Sequence, residues 1–340
     1  MTASDIARNP RPRRLGLWIP FVLLAIALIA LAGAWVYARG LVLAQLEAAR
    51  NPPPGSSVAV SFGAAEVHGF PFRLDVDLTD AHAWDRSGWS ITAPQLKAEA
   101  FLFAPDHWVA YAPDGVVIGR QREGPLVVTG KAVRASLSDV GGRPPRISVE
   151  GLDLDFSTPP GATPFLLTRA HEFHLHTKAG PNDQGAAYLE VDGATARLSG
   201  LLARIAEGKP VTFVADLIFN HADALAGDDW PHALRNWSEA GGFTDVRHLR
   251  LLAGEALIDA KPGTVGLGPD GRLEGALTLT LRQAAKVIGA MGTQGTLAPD
   301  TTRSALAVSG VGPKATLVLH FQAGRMTLGP VALGPSPRLF

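Results

Sequence analysis

One apolar stretch near the amino terminus constrains this chain more than any other feature. Residues 15–38 are 24 consecutive uncharged residues, LGLWIPFVLLAIALIALAGAWVYA. A helix of this length rises about 36 Å, enough to cross a hydrocarbon core of about 30 Å. Trp18 near one end, and Trp35 and Tyr37 near the other, have side chains that favour the membrane–water boundary. The stretch therefore predicts a transmembrane helix over residues 15–38.

The residues before this helix predict its orientation. Residues 1–14 carry four arginines and one aspartate, a net charge of +3, and the positive-inside rule keeps such a tail cytoplasmic. The predicted location is the inner membrane, with a single pass and the rest of the chain in the periplasm. A cleaved signal peptide is the alternative, because Ala32-Gly33-Ala34 has the small-x-small form of a cleavage site. The apolar run is longer than the usual 7–15 residues, which favours an anchor.

Helical composition continues beyond the predicted span. Residues 41–50 contain no helix breaker, and Pro52-Pro53-Pro54 follow them, so we expect a juxtamembrane helix over 39–50 that the prolines end. The domain organisation that follows is a cytoplasmic tail over 1–14, a transmembrane helix over 15–38, this juxtamembrane helix, and a periplasmic domain over 51–340.

The predicted periplasmic domain has the alternation of β-strands. Its best example places Phe70, Phe72, Leu74, Val76 and Leu78 on one face of a strand and charged or polar residues on the other. The same alternation of apolar and polar residues occurs around Leu152, Leu154 and Phe156. It occurs again within residues 173–176, 211–219, 273–281 and 317–322. Turn sequences such as Pro113-Asp114-Gly115 separate these segments.

Helical patterns are few in the same region. Leu198–Glu207, Trp230–Ala240 and Arg282–Met291 are the candidates. The predicted fold class is therefore β-rich (α+β), with the transmembrane helix followed by a long curved antiparallel sheet and a few short covering helices. A closed sandwich is the alternative. The composition of residues 180–185 marks a position where the domain could be divided in two.

Composition and motifs exclude several classes of function. Thirty-one basic and 31 acidic side chains give a net charge of zero, so nothing favours binding to nucleic acid. The chain has no cysteine, which excludes disulfides and thiolate chemistry. No G-x-S-x-G, P-loop or H-E-x-x-H motif is present, and the sequence predicts no cofactor and supports no enzymatic activity.

Three motifs have a structural interpretation that we favour over a chemical one. Gly266-Leu267-Gly268-Pro269-Asp270-Gly271 matches G-x-G-x-x-G, but a strand pattern follows it rather than a helix, which predicts a hairpin turn. The carboxylate pairs Asp75/Asp77 and Asp153/Asp155 lie on polar strand faces. Asp228-Asp229 precedes a predicted helix and suits an amino-terminal cap.

The densest group of metal-ligating side chains is His171-Glu172-Phe173-His174-Leu175-His176. On a strand, Glu172, His174 and His176 share one face and are weak candidates for a zinc site. Neighbouring side chains on one face are nearly 7 Å apart along a strand, so a tetrahedral site needs ligands from an adjacent strand. A solvated polar face is the favoured interpretation, and a metal-dependent enzyme is the least favoured of three functional hypotheses.

The apolar strand face suggests the leading hypothesis. A long sheet with few covering helices must bury its apolar face against itself, a partner or lipid. Each buried methylene contributes about 0.8 kcal/mol, so an acyl chain needs no specific polar site. We expect Phe70, Phe72, Leu74, Val76 and Leu78 to line such a ligand-binding face. The alternative is an interaction module that docks an envelope protein through a sheet edge or through residues 15–50.

Several short segments resemble a known bacterial family. Gly69-Phe70-Pro71-Phe72-Arg73-Leu74-Asp75-Val76, Ala93-Pro94-Gln95-Leu96, Pro105-Asp106-His107-Trp108 and Gly329-Pro330-Val331-Ala332-Leu333-Gly334-Pro335 resemble the domain of unknown function 2125 family. The resemblance covers roughly residues 15–340 and implies an envelope protein with one membrane span and no assigned reaction. The strand-rich domain is more distantly similar to AsmA-type envelope proteins, whose folded-over sheets present apolar troughs to lipids.

Overall fold

The chain forms one long antiparallel sheet with an apolar helix at its amino-terminal end. The computed structural model describes residues 18–53, 56, 58–198, 203, 206–227, 229–282, 314–329 and 331–340. Within these residues nineteen strands form a single hydrogen-bonded sheet. The predicted fold class is confirmed.

The first helix, α1, spans Ile19–Arg50, so it covers residues 19–38 of the predicted transmembrane segment and all of the predicted juxtamembrane segment. Residues 15–17 lie outside the described residues. Pro20 lies in its first turn, where the missing amide has no helical partner to lose. The helix ends at Asn51, immediately before the prolines. It is long and apolar enough to cross a membrane.

The nineteen strands are 4 to 13 residues long, and short turns join most of them. In chain order they are β1 (Val58–Ser61), β2 (Ala65–His68), β3 (Arg73–Asp85), β4 (Ser90–Phe101), β5 (Ala104–Tyr111), β6 (Val116–Arg120), β7 (Gly124–Thr129), β8 (Ala132–Ser138), β9 (Arg146–Ser157), β10 (Leu167–Ala179), β11 (Gly185–Ala196), β12 (Val211–Phe219), β13 (Phe243–Ala253), β14 (Ala256–Ala260), β15 (Gly263–Leu267), β16 (Leu273–Arg282), β17 (Lys314–Gln322), β18 (Arg325–Leu328) and β19 (Val331–Pro335).

Strands that follow one another in sequence are mostly neighbours in the sheet, but the sheet divides in two places. The long strands β4 and β9 are separated by shorter strands. At one end of β4 and β9 these are β5 and β8, and at the other end they are the β6–β7 hairpin. Between β13 and β16, one end is filled by β14 and the other by β15. Long strands therefore bridge two shorter sections of sheet at each division.

The second helix, α2, spans Trp230–Glu239 and lies on the sheet beside a 3-10 turn at Ala222–Ala224. Asp229 caps it by accepting a hydrogen bond from the backbone N–H of His232 at 2.8 Å, as the sequence predicts. Asp228, most of the predicted helix Leu198–Glu207, and all of Arg282–Met291 beyond Arg282 lie outside the described residues.

Residues 180–184 connect two strands that pair with each other along most of their length. The Gly180 N–H donates to the Gln184 carbonyl at 2.6 Å, closing the turn between β10 and β11. Those strands pair from Ala179 opposite Gly185 to Leu167 opposite Ala196. The sheet thus runs through the position where the composition suggests a boundary.

The carboxyl-terminal half of α1 packs against the first strands of the sheet. Trp35, Ala38, Val42, Leu43 and Leu46 contact a buried cluster that includes Leu74, Val76 and Leu78. The Arg50 guanidinium donates to the carbonyls of Phe62 and Gly63, and lies 4.1 Å from the centre of the Phe62 ring. The second half of α1 is therefore part of the folded domain.

Candidate functional site

A row of apolar side chains crosses thirteen of the strands in register. Its members are directly opposite one another from strand to strand, and we call them the apolar row: Val67, Val76, Ala98, Ala110, Ala135, Val149, Leu175, Leu189, Ala215, Leu249, Ala260, Leu279 and Leu317. With neighbouring strands about 4.8 Å apart, the apolar row follows the sheet for about 60 Å.

The neighbouring row, one residue away on each strand, is polar apart from Val214. We call it the polar row: Glu66, Asp77, Lys97, Tyr111, Arg134, Glu150, His174, Glu190, Val214, Arg250, Asp259, Thr280 and Thr316. Because successive side chains of a strand point to opposite faces, the sheet has one apolar and one polar face. Charge pairs across neighbouring strands, such as Arg134 with Glu150, suit the polar face to water.

The two ends of the apolar row are covered more completely than its middle. Val67 and Val76 are buried beneath α1, and Ala260 and Leu279 lie in a buried cluster with Phe321. Members from Ala98 to Leu189 are only half-buried. In the described part of the chain, the middle of the apolar row therefore retains contact with solvent.

A cavity of about 250 Å³ lies on the apolar face where the sheet first divides. It is lined mainly by apolar residues, among them Leu96, Ala110, Val133, Val149, Leu154 and Phe173. The β6–β7 hairpin forms one wall, and buried Arg120 fixes that hairpin by donating to the carbonyls of Gly124 and Thr163 at 3.0 and 2.6 Å. We call this space the first cavity.

A larger cavity of about 650 Å³ lies between the sheet and α2. Its lining includes Ala187, Leu217, Phe219, Leu225, Leu234 and Trp237, with Arg143 at its margin. The indole N–H of Trp237 donates to the Asn220 carbonyl at 2.6 Å, which holds α2 against the end of β12. This second cavity has about the volume of sites that take a small organic ligand.

The apolar row connects the two cavities. Phe173 lines the first cavity and Thr177 the second, and both lie on the same face of β10 as Leu175 between them. On β11, Leu189 lies between Val191, which packs in a cluster with Leu154 and Phe173, and Ala187, which lines the second cavity. The apolar face can accordingly receive an extended apolar molecule that is longer than either cavity.

The structure separates the five residues that the sequence places on one ligand-binding face. Leu74, Val76 and Leu78 are buried under α1, whereas Phe70 and Phe72 precede β3 and are exposed. The chain turns at 69–72, where the Arg73 N–H donates to the Gly69 carbonyl at 3.0 Å. The alternating pattern continues by coincidence into this turn, and a ligand-binding role for the five side chains stays a prediction.

In a second predicted strand, the residues also do not all lie on the face of the sheet that the sequence predicts. Asp153 has φ of +48°, and neither Asp153 nor His171 has a partner in the register of β9 and β10. Leu152 is therefore opposite Glu172 on the polar face and is 38% exposed, while Leu154 is buried. The expectation that Leu152 shares a face with Leu154 and Phe156 is wrong because the backbone reverses the alternation at Asp153.

The predicted metal-ligating group is only partly brought together. His174 and His176 lie with Glu150 of β9, and their ligand atoms are within 4.8 Å of one another. Glu172 lies beside His174 instead, with Oε2 3.3 Å from Nε2. An adjacent strand supplies the carboxylate because paired residues are closer across strands than alternate residues are along one strand.

Other contacts already occupy these side chains. Glu150 accepts a hydrogen bond from Arg134 Nε at 2.7 Å, and His176 Nδ1 lies 2.9 Å from the Ser148 hydroxyl oxygen. Arg134 therefore competes with a metal ion for the Glu150 carboxylate. The carboxylate pairs Asp75/Asp77 and Asp153/Asp155 are likewise paired with basic side chains, including Arg73, Lys97, Lys131 and Arg169.

The G-x-G-x-x-G segment forms a turn between strands. The Gly268 N–H donates to the Arg272 carbonyl at 2.8 Å between β15 and β16. The prediction of a hairpin is confirmed.

Sequence reasoning missed most residues of the candidate site. The apolar row contains five alanines, and four of them, Ala98, Ala110, Ala135 and Ala260, lie outside the strands that alternation indicates. Small side chains at these positions leave space on the face, and their significance depends on register. Paired apolar positions in successive strands were the available signal, but single-strand alternation does not reveal which positions are opposite one another.

Most of the sequence matches one bacterial family. The family described as "Uncharacterized protein conserved in bacteria (DUF2125)" matches residues 35–337. The matched region begins at Trp35, which contacts the start of β3, and includes nearly all of the sheet. No curated protein and no solved structure matches the chain.

Proposed function

This chain belongs to the bacterial DUF2125 family, and we propose that it is a membrane-anchored envelope protein that holds lipid or another long apolar ligand along the apolar row. In this proposal α1 crosses the inner membrane once, residues 1–14 remain in the cytoplasm, and residues 51–340 form a periplasmic domain. The row of thirteen matched apolar positions is the observation that carries it.

The dimensions of the face favour an extended ligand. The two cavities have volumes of about 250 and 650 Å³, and half-buried Leu175 and Leu189 lie between them. Such a surface contributes binding free energy in proportion to the apolar area buried. It offers few directional polar contacts, so it suits acyl chains better than a small polar substrate. The distant resemblance to AsmA-type envelope proteins leads to the same expectation.

Contacts of α1 support a retained anchor over a cleaved signal. The helix continues through Ala32-Gly33-Ala34 without interruption. Trp35 then donates from its indole N–H to the Arg73 carbonyl at 2.7 Å, and Arg39 donates to the Val67 carbonyl at 3.2 Å. A continuous helix thus links the proposed membrane span rigidly to the first strands. The arginines of residues 1–14 favour a cytoplasmic amino terminus.

Photo-cross-linking in cells tests the proposed ligand site. The photoreactive amino acid p-benzoylphenylalanine replaces Leu175 or Leu189 in the full chain, and the cells are labelled with radioactive phosphate. Matched controls carry it at His174 or Glu190, each one residue away on the polar face. We expect labelled lipid adducts at the two leucine positions and several-fold less label at the two controls.

The same experiment separates the alternatives. Equal lipid labelling on both faces, or none on either, would contradict lipid binding along the apolar row. A defined protein adduct at the leucine positions would instead support the interaction-module hypothesis. Metal analysis of the purified full chain addresses the enzyme hypothesis, which needs near-stoichiometric metal that is lost in Glu150→Gln.

A further inference from the structure

Two neighbouring turns carry four exposed phenylalanines at one end of the sheet. Phe70 and Phe72 lie in the β2–β3 turn, and Phe101 and Phe103 lie at the β4–β5 turn; their exposures are 60, 55, 52 and 78%. The turns are adjacent because Arg73 pairs with Phe101 and the Leu102 N–H donates to the Phe72 carbonyl at 2.8 Å. We call these four side chains the aromatic rim.

The direction of α1 places the aromatic rim beside the proposed membrane span. Arg50 contacts Phe62, Arg39 contacts Val67, and Trp35 contacts Arg73 next to the rim. Moving back along the helix from Arg50 to Trp35 therefore leads towards the rim. The exposed apolar residues that precede Trp35 continue beyond it, so the rim lies beside the end of the proposed span.

Trp35 joins the helix and the rim in one aromatic group. Its ring is 5.6 Å from the Phe70 ring in an edge-on arrangement, and the rings of Phe101 and Phe103 stack at 5.2 Å. Aromatic side chains concentrate at the membrane–water boundary. Arg39 is the first charged residue after the apolar stretch, and the Arg73 carbonyl accepts from the Trp35 indole. Both basic side chains therefore lie near this aromatic group and suit the headgroup region.

We propose that the aromatic rim inserts into the interface of the bilayer that α1 crosses. The rim and α1 then hold the domain at two places on the membrane, with the covered end of the apolar row next to the lipid. The bilayer itself covers this exposed surface, because the proposed span ends beside Trp35, and Trp35 contacts Phe70 of the rim. This inference depends on the proposed membrane anchoring and extends it to the sheet.

Depth-dependent quenching tests the insertion. The chain has no cysteine, so single cysteines can be introduced at Phe72 or Phe103 of the full chain and labelled with an environment-sensitive fluorophore. The protein is reconstituted into vesicles of phosphatidylethanolamine and phosphatidylglycerol that carry spin-labelled lipid. We expect quenching and a blue-shifted emission for F72C and F103C.

Two control positions separate the possible outcomes. Trp89 is an exposed aromatic residue at the opposite end of β3 and β4, about 40 Å from the rim at the usual rise per residue. W89C should be quenched several-fold less than F103C. L24C, within the proposed span, should be quenched strongly.

Each contrary result has a distinct meaning. Strong quenching of L24C with F72C and F103C no different from W89C would overturn rim insertion while leaving the anchor intact. An unquenched L24C would contradict membrane anchoring and the insertion together. Because each variant retains three of the four rim phenylalanines, a single substitution leaves most of the surface unchanged.

Discussion

At the residue scale, one ion-paired histidine links the backbone reversal in β9 to pH. Asp153 Oδ1 lies 2.8 Å from His171 Nδ1, and its Oδ2 is 2.6 Å from Lys131 Nζ. The hydrogen bond to Asp153 raises the pKa of His171. The hydrogen bonds from Lys131 and then His171 lower the pKa of Asp153. The folded state thus stabilises the charged forms of Asp153, His171 and Lys131.

We expect His171→Gln to reduce stability only where His171 would be protonated. A raised histidine pKa stabilises the fold fully below the unfolded value of about 6.5, and this contribution is lost as pH rises through the folded pKa. The lowered pKa of Asp153 has the opposite effect, lost as pH falls through its own folded value. The difference in Tm between wild type and H171Q should be largest at about pH 5–6.

Thermal unfolding of the full chain in detergent across this pH range measures the effect. His320→Gln, at an exposed position on β17, is the control. A destabilisation by H171Q of the same size at alkaline pH as at about pH 5–6 would show that the ion pair is not its cause.

At the scale of an element, α2 covers the second cavity through one apolar face. Ala233, Leu234 and Trp237 are buried, whereas the opposite face of the helix is exposed. A helix of ten residues has little stability alone, so these contacts hold it in place. The fixed position of α2 defines one wall of the second cavity.

Leu234→Ala should therefore release α2 locally. Removal of a buried leucine side chain costs about 2–5 kcal/mol, and because the loss falls on one small element we expect the amides of α2 to exchange hydrogen faster by a factor of about thirty or more. Hydrogen exchange followed by mass spectrometry measures this. Glu239→Ala, at an exposed position of the same helix, should leave exchange nearly unchanged. Faster exchange throughout the sheet would instead indicate global destabilisation.

Most of the secondary structure could be predicted from the sequence. The face of the sheet on which each side chain lies could not always be predicted. Alternation correctly indicated β10, β12, β16 and β17, and the uncharged stretch indicated α1. Phe70 and Phe72 were misassigned because alternation contains no information about a turn that happens to keep the same spacing. Leu152 was misassigned because the positive φ of Asp153 depends on tertiary contacts with His171 and Lys131.

At the scale of the whole molecule, the apolar row joins the α1 end of the sheet to the second cavity. If lipid reaches the apolar row from the membrane, charges introduced at the middle of the row should prevent lipid from passing from the first cavity to the second. Leu175→Asp combined with Leu189→Asp places two carboxylates between the cavities, where their desolvation opposes passage of an acyl chain. We expect cross-linking of lipid at Val133 in the first cavity to persist and that at Leu217 in the second to fall several-fold.

Val214→Asp provides the control for added charge, since Val214 lies in the polar row. Resistance of each purified variant to protease verifies that the domain remains folded. Undiminished cross-linking at Leu217 in the double variant would contradict a continuous path along the sheet.

The candidate site illustrates a different limit of sequence reasoning. An apolar face was foreseeable from Leu74, Val76 and Leu78, but α1 covers these three residues. The half-buried part of the face depends on Ala110 opposite Ala135 and Leu175 opposite Leu189. Such pairings join segments that are separated in sequence, so they follow from register rather than from any local pattern.

The order of the strands also has a consequence for how the molecule assembles. Most hairpins join segments that are adjacent in the chain, so their ends meet with little loss of loop entropy, and local contacts of this kind favour fast folding. The strands that pack on α1 are also the first to follow it. An elongating chain can therefore form its sheet progressively from the anchored end, each new strand adding to an edge that is already ordered.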